Sequence, residues 1–273
     1  MGAIGIFDSG YGGLTILKSI IQELPEYDYI YLGDNARTPY GTRSFDVVYE
    51  YTLEAVKKLF ELDCELIILA CNTASAKALR TIQKKDLPFL APKKRILGVI
   101  RPTVEALSKY TRNNHIGVLA TPGTIKSKSY ILEIDKLYDG KNLSVSQHSC
   151  PMWVPLVENN EINNEGAKFF ITKDLDNLLI KDKDIDTVLL ACTHYPLLIN
   201  QIKENLPKDV LIIEQGEIVA KSLKDYLSRH TEIDELCNKE GSRKFYTTEV
   251  ASDFEKIASR FLNQKLEAEH IQL

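Results

Sequence analysis

The sequence predicts an α/β fold in two domains, each with a mainly parallel sheet flanked by helices, and three observations lead there. Strand-like and helix-like segments alternate along the chain, with helices of about 10 to 20 residues, the pattern of parallel α/β layers. At 273 residues the chain is near the size at which a single core stops growing and a second domain forms. Two segments nearly repeat one another, one ending Ala70-Cys71-Asn72-Thr73 and the other Ala191-Cys192-Thr193-His194.

Ala3 to Phe7 reads as the first strand, and Leu14, Leu17, Ile20, Ile21 and Leu24 recur at helical spacing until Pro25 ends the pattern. A strand follows at Tyr29 to Leu32, then a polar loop with Pro39 and Gly41, a helix from about Ser44 to Leu62, and a buried strand, Leu66 to Ala70. A helix to Lys84 and a strand at Ile96 to Ile100 complete the first half. The second half repeats the theme: a strand at His115 to Ala120, a helix from about Ile125, Leu143 to Gln147, a helix from about Glu161, and a strand at Thr187 to Ala191 with its helix. Val210 to Ile213 is a further strand, followed by a helix to about Arg229 and a charged stretch, Glu232 to Arg243, expected to be a surface loop. Phe245 to Thr248 is the last strand, and Ser252 with Glu255 forms a capping box that should open the closing helix. No low-complexity linker marks a boundary, so the division is placed at Leu97 to Pro102 and Pro207 to Val210. Residues 1–98 with 209–273 form one domain and 99–208 the other.

Hydrophobic residues are 44% of the chain, ample for two cores, and a net charge of -4 with scattered Lys and Arg gives no electrostatic footprint for nucleic acid. The five cysteines are odd in number and widely spaced, which argues against a disulfide framework and for a reducing compartment. No apolar run approaches the ~18 residues of a membrane span, and Met1 to Gly10 lacks a basic n-region. A cytoplasmic protein with no membrane partner is expected.

Each half of the near-repeat places a cysteine just past the carboxyl end of a strand, where open α/β sheets bind ligands. A helix opening there lowers a thiol's pKa and offers free N–H groups to a carboxylate, so two such thiols suggest an acid and a base. Asp8-Ser9-Gly10-Tyr11-Gly12-Gly13 follows the first strand but fails the dinucleotide fingerprint, because position 15 is Thr15. Its glycines let the backbone approach a small ligand, with Asp8 and Ser9 at the strand end. Asp34 to Gly41 follows the second strand, and Pro39 and Gly41 fix a turn that holds Asp34 and Tyr40 at the edge shared with Cys71. His194 is two residues from Cys192, too close for ordinary metal-ligand spacing, and with no C-x-x-C pattern no metal is expected. Trp153 reads as packing.

These motifs resemble bacterial glutamate racemase. The resemblance is carried by Asp8-Ser9-Gly10-x-Gly12-Gly13-Leu14, Gly33-Asp34-x-Ala36-Arg37-x-Pro39-Tyr40-Gly41, Ala70-Cys71-Asn72-Thr73-Ala74, Ala120-Thr121 with Thr124, Cys150-Pro151 with Glu158, and Ala191-Cys192-Thr193-His194-Tyr195-Pro196. It spans most of the chain in order. Ser75 and His194 stand where aspartate racemases tend to carry His and Glu, which favours glutamate; an aspartate or other amino-acid racemase is the alternative. Glu249, in place of a common glycine, and the 232–243 stretch depart from the pattern at the periphery.

The resemblance implies cofactor-independent inversion at the α-carbon of glutamate, in a cleft between two pseudo-symmetric domains, supplying D-glutamate for peptidoglycan. Inversion removes a proton on one face and delivers one on the other, so a thiolate and a thiol must flank the carbon. By the same resemblance Cys71 faces D-glutamate and Cys192 faces L-glutamate. Asp8, Asp34, Glu158 and His194 assist the proton transfers, while Asp8, Ser9, Pro39, Tyr40, Gly41, Asn72, Thr73, Thr121, Thr193 and His194 contact the substrate. A homodimer is the partner to expect. The rival from the residues alone is a cysteine hydrolase or lyase with His194 as base.

Overall fold

Alternation along the chain becomes two parallel sheets in a computed structural model, which describes residues 1–138 and 143–273. The first half runs β1 (Ala3–Asp8), α1 (Gly13–Glu23), β2 (Tyr29–Gly33), α2 (Phe45–Glu61), β3 (Cys64–Leu69), α3 (Asn72–Lys77), α4 (Leu79–Thr81), α5 (Leu87–Leu90) and β4 (Arg95–Gly98). The second comprises α6 (Ile100–Ala106), β5 (His115–Ala120), α7 (Pro122–Ser127), α8 (Ser129–Leu137), β6 (Ser144–Ser149), α9 (Trp153–Glu158), α10 (Glu165–Lys181), β7 (Thr187–Ala191), α11 (Ile199–Asn205) and β8 (Leu211–Ile213). The chain closes with α12 (Gly216–Arg229), α13 (Thr231–Asp234), β9 (Arg243–Thr247), α14 (Ala251–Leu262) and β10 (Glu269–His270).

One sheet has the order β10-β9-β2-β1-β3-β4 and the other β6-β5-β7-β8, and every named pairing is parallel. The segment β2-β1-β3-β4 therefore has the same order as β6-β5-β7-β8. In each unit the chain leaves the first strand toward one side and returns on its other side, so β1/β3 and β5/β7 are switch points whose carboxyl ends open a crevice. Strands buried on both faces explain the apolar runs: β2 and β7 are buried at every residue.

Several expectations move. Leu211–Ile213 pairs with Thr187–Leu189, so the chain returns to the first sheet after Ile213 and not at 209. The helix expected to run to Lys84 is broken into α3 and α4, continues through a π turn at Ile82–Asp86, and ends in α5. Pro88, which lacks an N–H, lies just past that wider turn. The helix expected from Ile125 begins at Pro122, capped by Thr121, and is interrupted by left-handed Lys128 at φ 55°. Helices α6 and α9 are six or seven residues long, too short to show a period in the sequence.

The capping box does not form. Helix α14 starts at Ala251 with Val250 as its N-cap, and Glu255 instead accepts the Ala268 N–H at 2.8 Å. The charged 232–243 stretch is not wholly a surface loop, because Ile233 and Cys237 are buried and Asn238 N–H donates to the Gly2 carbonyl at 2.8 Å. Among the described residues no helix is long and apolar enough to cross a membrane. Trp153 is fully buried, its ring 4.8 Å from that of Tyr195.

Candidate active site

The carboxyl ends of both switch points meet around one small cavity of about 90 Å³. From the first sheet come Ser9 after β1, Pro39, Tyr40 and Gly41 after β2, and Cys71, Asn72 and Thr73 after β3. From the second come Thr121 after β5, Cys150 after β6, and Cys192, Thr193 and His194 after β7. All five cysteines of the chain are free thiols. The two expected thiols thus line the same cavity from equivalent positions of the repeated unit.

Cys71 is the N-cap of α3: its Sγ accepts the Ala74 N–H at 3.5 Å and lies 3.5 Å from Ser9 Oγ. Burial, reinforced by the nearby Asp8 carboxylate, pushes this thiol up to about 12 despite those two contacts. Asp8 is fully buried; its carboxylate accepts the Gly10 N–H at 3.0 Å and the Thr193 hydroxyl at 3.3 Å. Burial raises the Asp8 pKa, with His194 acting in the opposite direction.

Cys192 has a different setting. No α-helix opens directly after it, because residues Tyr195–Leu198 form a 3₁₀ turn before α11 begins. A charged partner is present instead. Nε2 of His194 lies 3.0 Å from Glu158 Oε1, and the imidazole contacts Cys192. Burial alone would lower the His194 pKa, but the bonds to Cys192 and Glu158 outweigh it and raise the value to about 10. The two thiols thus sit in different electrostatic settings, Cys192 beside the His194 imidazole and Cys71 beside the buried Asp8 carboxyl.

Asp8, Asp34 and Glu158 do not line the cavity. Asp34 is fully buried and accepts the Arg37 Nε–H at 2.8 Å, the Thr248 hydroxyl at 2.9 Å, and a short bond from the Tyr40 hydroxyl. It reaches the cavity through Tyr40. The Asn72 amide is directed away as well, toward Gln215 and Tyr130. Thr73 and Thr121 hydroxyls lie 2.9 Å apart, and the Gly123 N–H donates to the Gly41 carbonyl at 2.7 Å, so the two units touch across the rim.

Glycine is needed at Gly12, where the β1–α1 loop meets the loop after β7. A Cβ on Gly12 would sit 2.2 Å from Thr193 Oγ1 and 2.5 Å from His194 Nδ1. Sequence reasoning missed Thr38, Thr42, Pro122, Val154 and Pro155 as lining residues. Thr38 and Thr42 flank the Pro39 to Gly41 turn, a signal that was available; Val154 belongs to α9 and carried none. The one group of residues able to ligate a metal, among those described, is His115, Asp182 and Asp184, at the opposite, amino ends of β5 and β7.

Duplicated strand ends present two free thiols to one buried cavity, and the chain belongs to the Asp/Glu/Hydantoin racemase family, whose model matches residues 4–223. It is 38% identical to a glutamate racemase of Geobacter metallireducens over 97% of this chain and 94% of that protein. The crystal structure of a glutamate racemase isoform from Bacillus anthracis superimposes with a TM-score of 0.89 at 36% identity, covering 100% of this chain and 98% of the other. A glutamate racemase from Francisella tularensis, solved in complex with D-glutamate, gives 0.85 at 32% identity over 100% and 97% of the chains.

Proposed function

We propose that this protein interconverts L- and D-glutamate without a cofactor, passing the α-proton between Cys71 and Cys192. The observation that carries the reading is the pairing of the two free thiols on one cavity at equivalent strand ends. The glutamate racemases that resemble the chain over nearly its full length supply the substrate.

In the L-to-D direction the Cys192 thiolate takes the α-proton, leaving the electron pair on the α-carbon. The Cys71 thiol then delivers its proton to the opposite face. Cys192 ends as the thiol and Cys71 as the thiolate, and the D-to-L direction reverses each step. The His194 imidazolium, held by Glu158, stabilises the starting thiolate at Cys192. Asp8 and burial keep Cys71 protonated until it is needed. Ser9, Pro39, Tyr40, Gly41, Thr73, Thr121, Thr193 and the backbone N–H of Asn72 at the start of α3 hold the amino and carboxylate groups, Asp34 fixes Tyr40, and the product enters peptidoglycan synthesis. The domains divide as 1–98 plus 214–273 and 99–213, with the site between them.

The test is incubation of either enantiomer in deuterated water. Racemisation with deuterium at the α-carbon is expected, and binding of glutamate without exchange would refute the proposal. The Cys192, His194 and Glu158 contacts also suit a nucleophilic thiol hydrolase. A covalent adduct on Cys192 seen by mass spectrometry would favour that reading.

A further inference from the structure

Asn72 immediately follows Cys71, and both ends of its side-chain amide are bonded within the protein. Its Nδ2 donates to Gln215 Oε1 at 2.6 Å, and its Oδ1 accepts the Tyr130 hydroxyl at 2.7 Å. Nε2 of Gln215 closes the circuit by donating to the Tyr130 hydroxyl at 2.9 Å. The three side chains form a ring in which every proton points the same way round, an arrangement in which each bond polarises the next. All three are buried, at 2% exposure for Asn72, 3% for Gln215 and 0% for Tyr130.

The direction of the ring is determined from outside it. Thr103 donates its hydroxyl proton to the Val99 carbonyl at 2.6 Å, so toward Gln215 it can only accept, at 2.8 Å. That places the Gln215 amide nitrogen at Thr103 and Tyr130 and turns its oxygen to Asn72. Asn72 must then offer its nitrogen to Gln215 and its oxygen to Tyr130. One side-chain orientation satisfies every group: flipping Asn72 would set oxygen against the Gln215 oxygen, and flipping Gln215 would set its nitrogen against the Asn72 nitrogen and its oxygen against the Thr103 lone pairs.

The ring also spans the fold. Asn72 opens α3 beside the first sheet, Tyr130 lies on α8 beside the second, and Gln215 lies in the return crossover between β8 and α12. Thr103 is on α6, just past the outgoing crossover. Both connections between the sheets are therefore tied through Asn72 to the position beside Cys71, whereas Cys192 meets the ring only through its electrostatic interaction with Tyr130.

We propose that Gln215 and Tyr130 are positioning residues for proton transfer at Cys71: by fixing the Asn72 amide from the second unit and the crossover, they set where the Cys71 thiol stands over the α-carbon. The inference rests on the function proposed above and makes the two thiols unequal in a measurable way. Losing the ring frees the first turn of α3 to shift, and a displacement of about 1 Å at a reacting group costs on the order of 10²-fold in rate.

The experiment compares wild type with Tyr130→Phe, Gln215→Leu and Thr103→Val. The first readout is elimination from each enantiomer of 3-chloroglutamate. A thiolate takes the α-proton, that C–H pair forms the Cα=Cβ bond as chloride leaves with its own pair, and the enamine hydrolyses through the imine to 2-oxoglutarate and ammonium. Each enantiomer exposes its α-proton to one thiol only. In Tyr130→Phe and Gln215→Leu, kcat/KM for the D-enantiomer should fall about tenfold or more while that for the L-enantiomer falls less than about threefold. Thr103→Val leaves the three members of the ring in place but removes the acceptor that fixes the Gln215 amide, so it should shift the D-to-L ratio in the same direction as Tyr130→Phe and by less. Equal losses on both enantiomers, a loss confined to KM, or a ratio moving the opposite way in Thr103→Val would overturn the proposal.

The second readout is the alkylation rate of each cysteine by iodoacetamide across pH, resolved by peptide mapping. Tyr130→Phe, which removes only one oxygen and keeps the side chain's volume, should change the Cys71 profile more than that of Cys192. If wild type neither exchanges nor eliminates but Cys71 alkylation still responds, the functional reading fails and the positioning stands. If wild type racemises and neither readout separates the thiols, the positioning fails alone.

Discussion

Cys71 and Cys192 are alike in exposure, 6% each, and unlike in the charge beside them. Because a two-base site assigns one base to each enantiomer, Cys71→Ser should abolish racemisation and retain some α-proton abstraction from L-glutamate, while Cys192→Ser retains some from D-glutamate. Deuterium wash-out measured on each enantiomer decides this; one variant losing both abstractions while the other loses neither would contradict it. His194 gives a second expectation. Its folded pKa lies near 10 against an ordinary 6.5, so its proton is held more tightly in the native state. The stability this contributes is complete below about pH 6.5 and declines as pH rises toward 10. Between pH 7 and 9, Tm should fall in wild type and fall less steeply in His194→Gln; parallel slopes in calorimetry would show the coupling to be absent. The cysteine positions were legible because a small thiol after an apolar strand, occurring twice, is a local pattern. The destination of the Asp34 carboxylate was not, since Thr248 is far along the chain.

At the scale of elements, what could be read from the sequence was the strand ends, and what could not was how loops from different units meet. His115–Ala120 and Thr187–Ala191 agree with the sequence reading because uninterrupted apolar runs with polar flanks admit few registers. The Ser252 box failed where a tertiary bond, Ala268 N–H to Glu255, won the carboxylate. The β1–α1 loop yields the element-scale prediction. Gly12 has φ -59° and ψ -33°, a conformation that alanine adopts without strain, so Gly12→Ala acts only through the clash with Thr193 and His194. Racemase kcat/KM should drop by about 100-fold with Tm shifted by only a few degrees. Full activity in this variant would mean that the two units do not approach as described.

Across the whole molecule the two sheets share an apolar cluster: Leu14, Ile20 and Leu66 from the first unit belong to the same buried group as Trp153, Leu175 and Leu190 from the second. Chains of this size with two domains often unfold in steps, but a shared core couples them, and one calorimetric transition is expected with equal van't Hoff and calorimetric enthalpies. Two resolved transitions would mean that the interface between the units contributes little. The sequence by itself determined the α/β class, the repeated unit and the two thiols, because strand burial, helix period and strand-end motifs are written in neighbouring residues. Only the tertiary structure decided that β8 stays with the second sheet, that Asp34 acts on Tyr40, and that Asn72 is committed to Gln215 and Tyr130. Each of those depends on which donor meets which acceptor across residues far apart in sequence, and such choices are made by packing, where every buried polar group must find its partner.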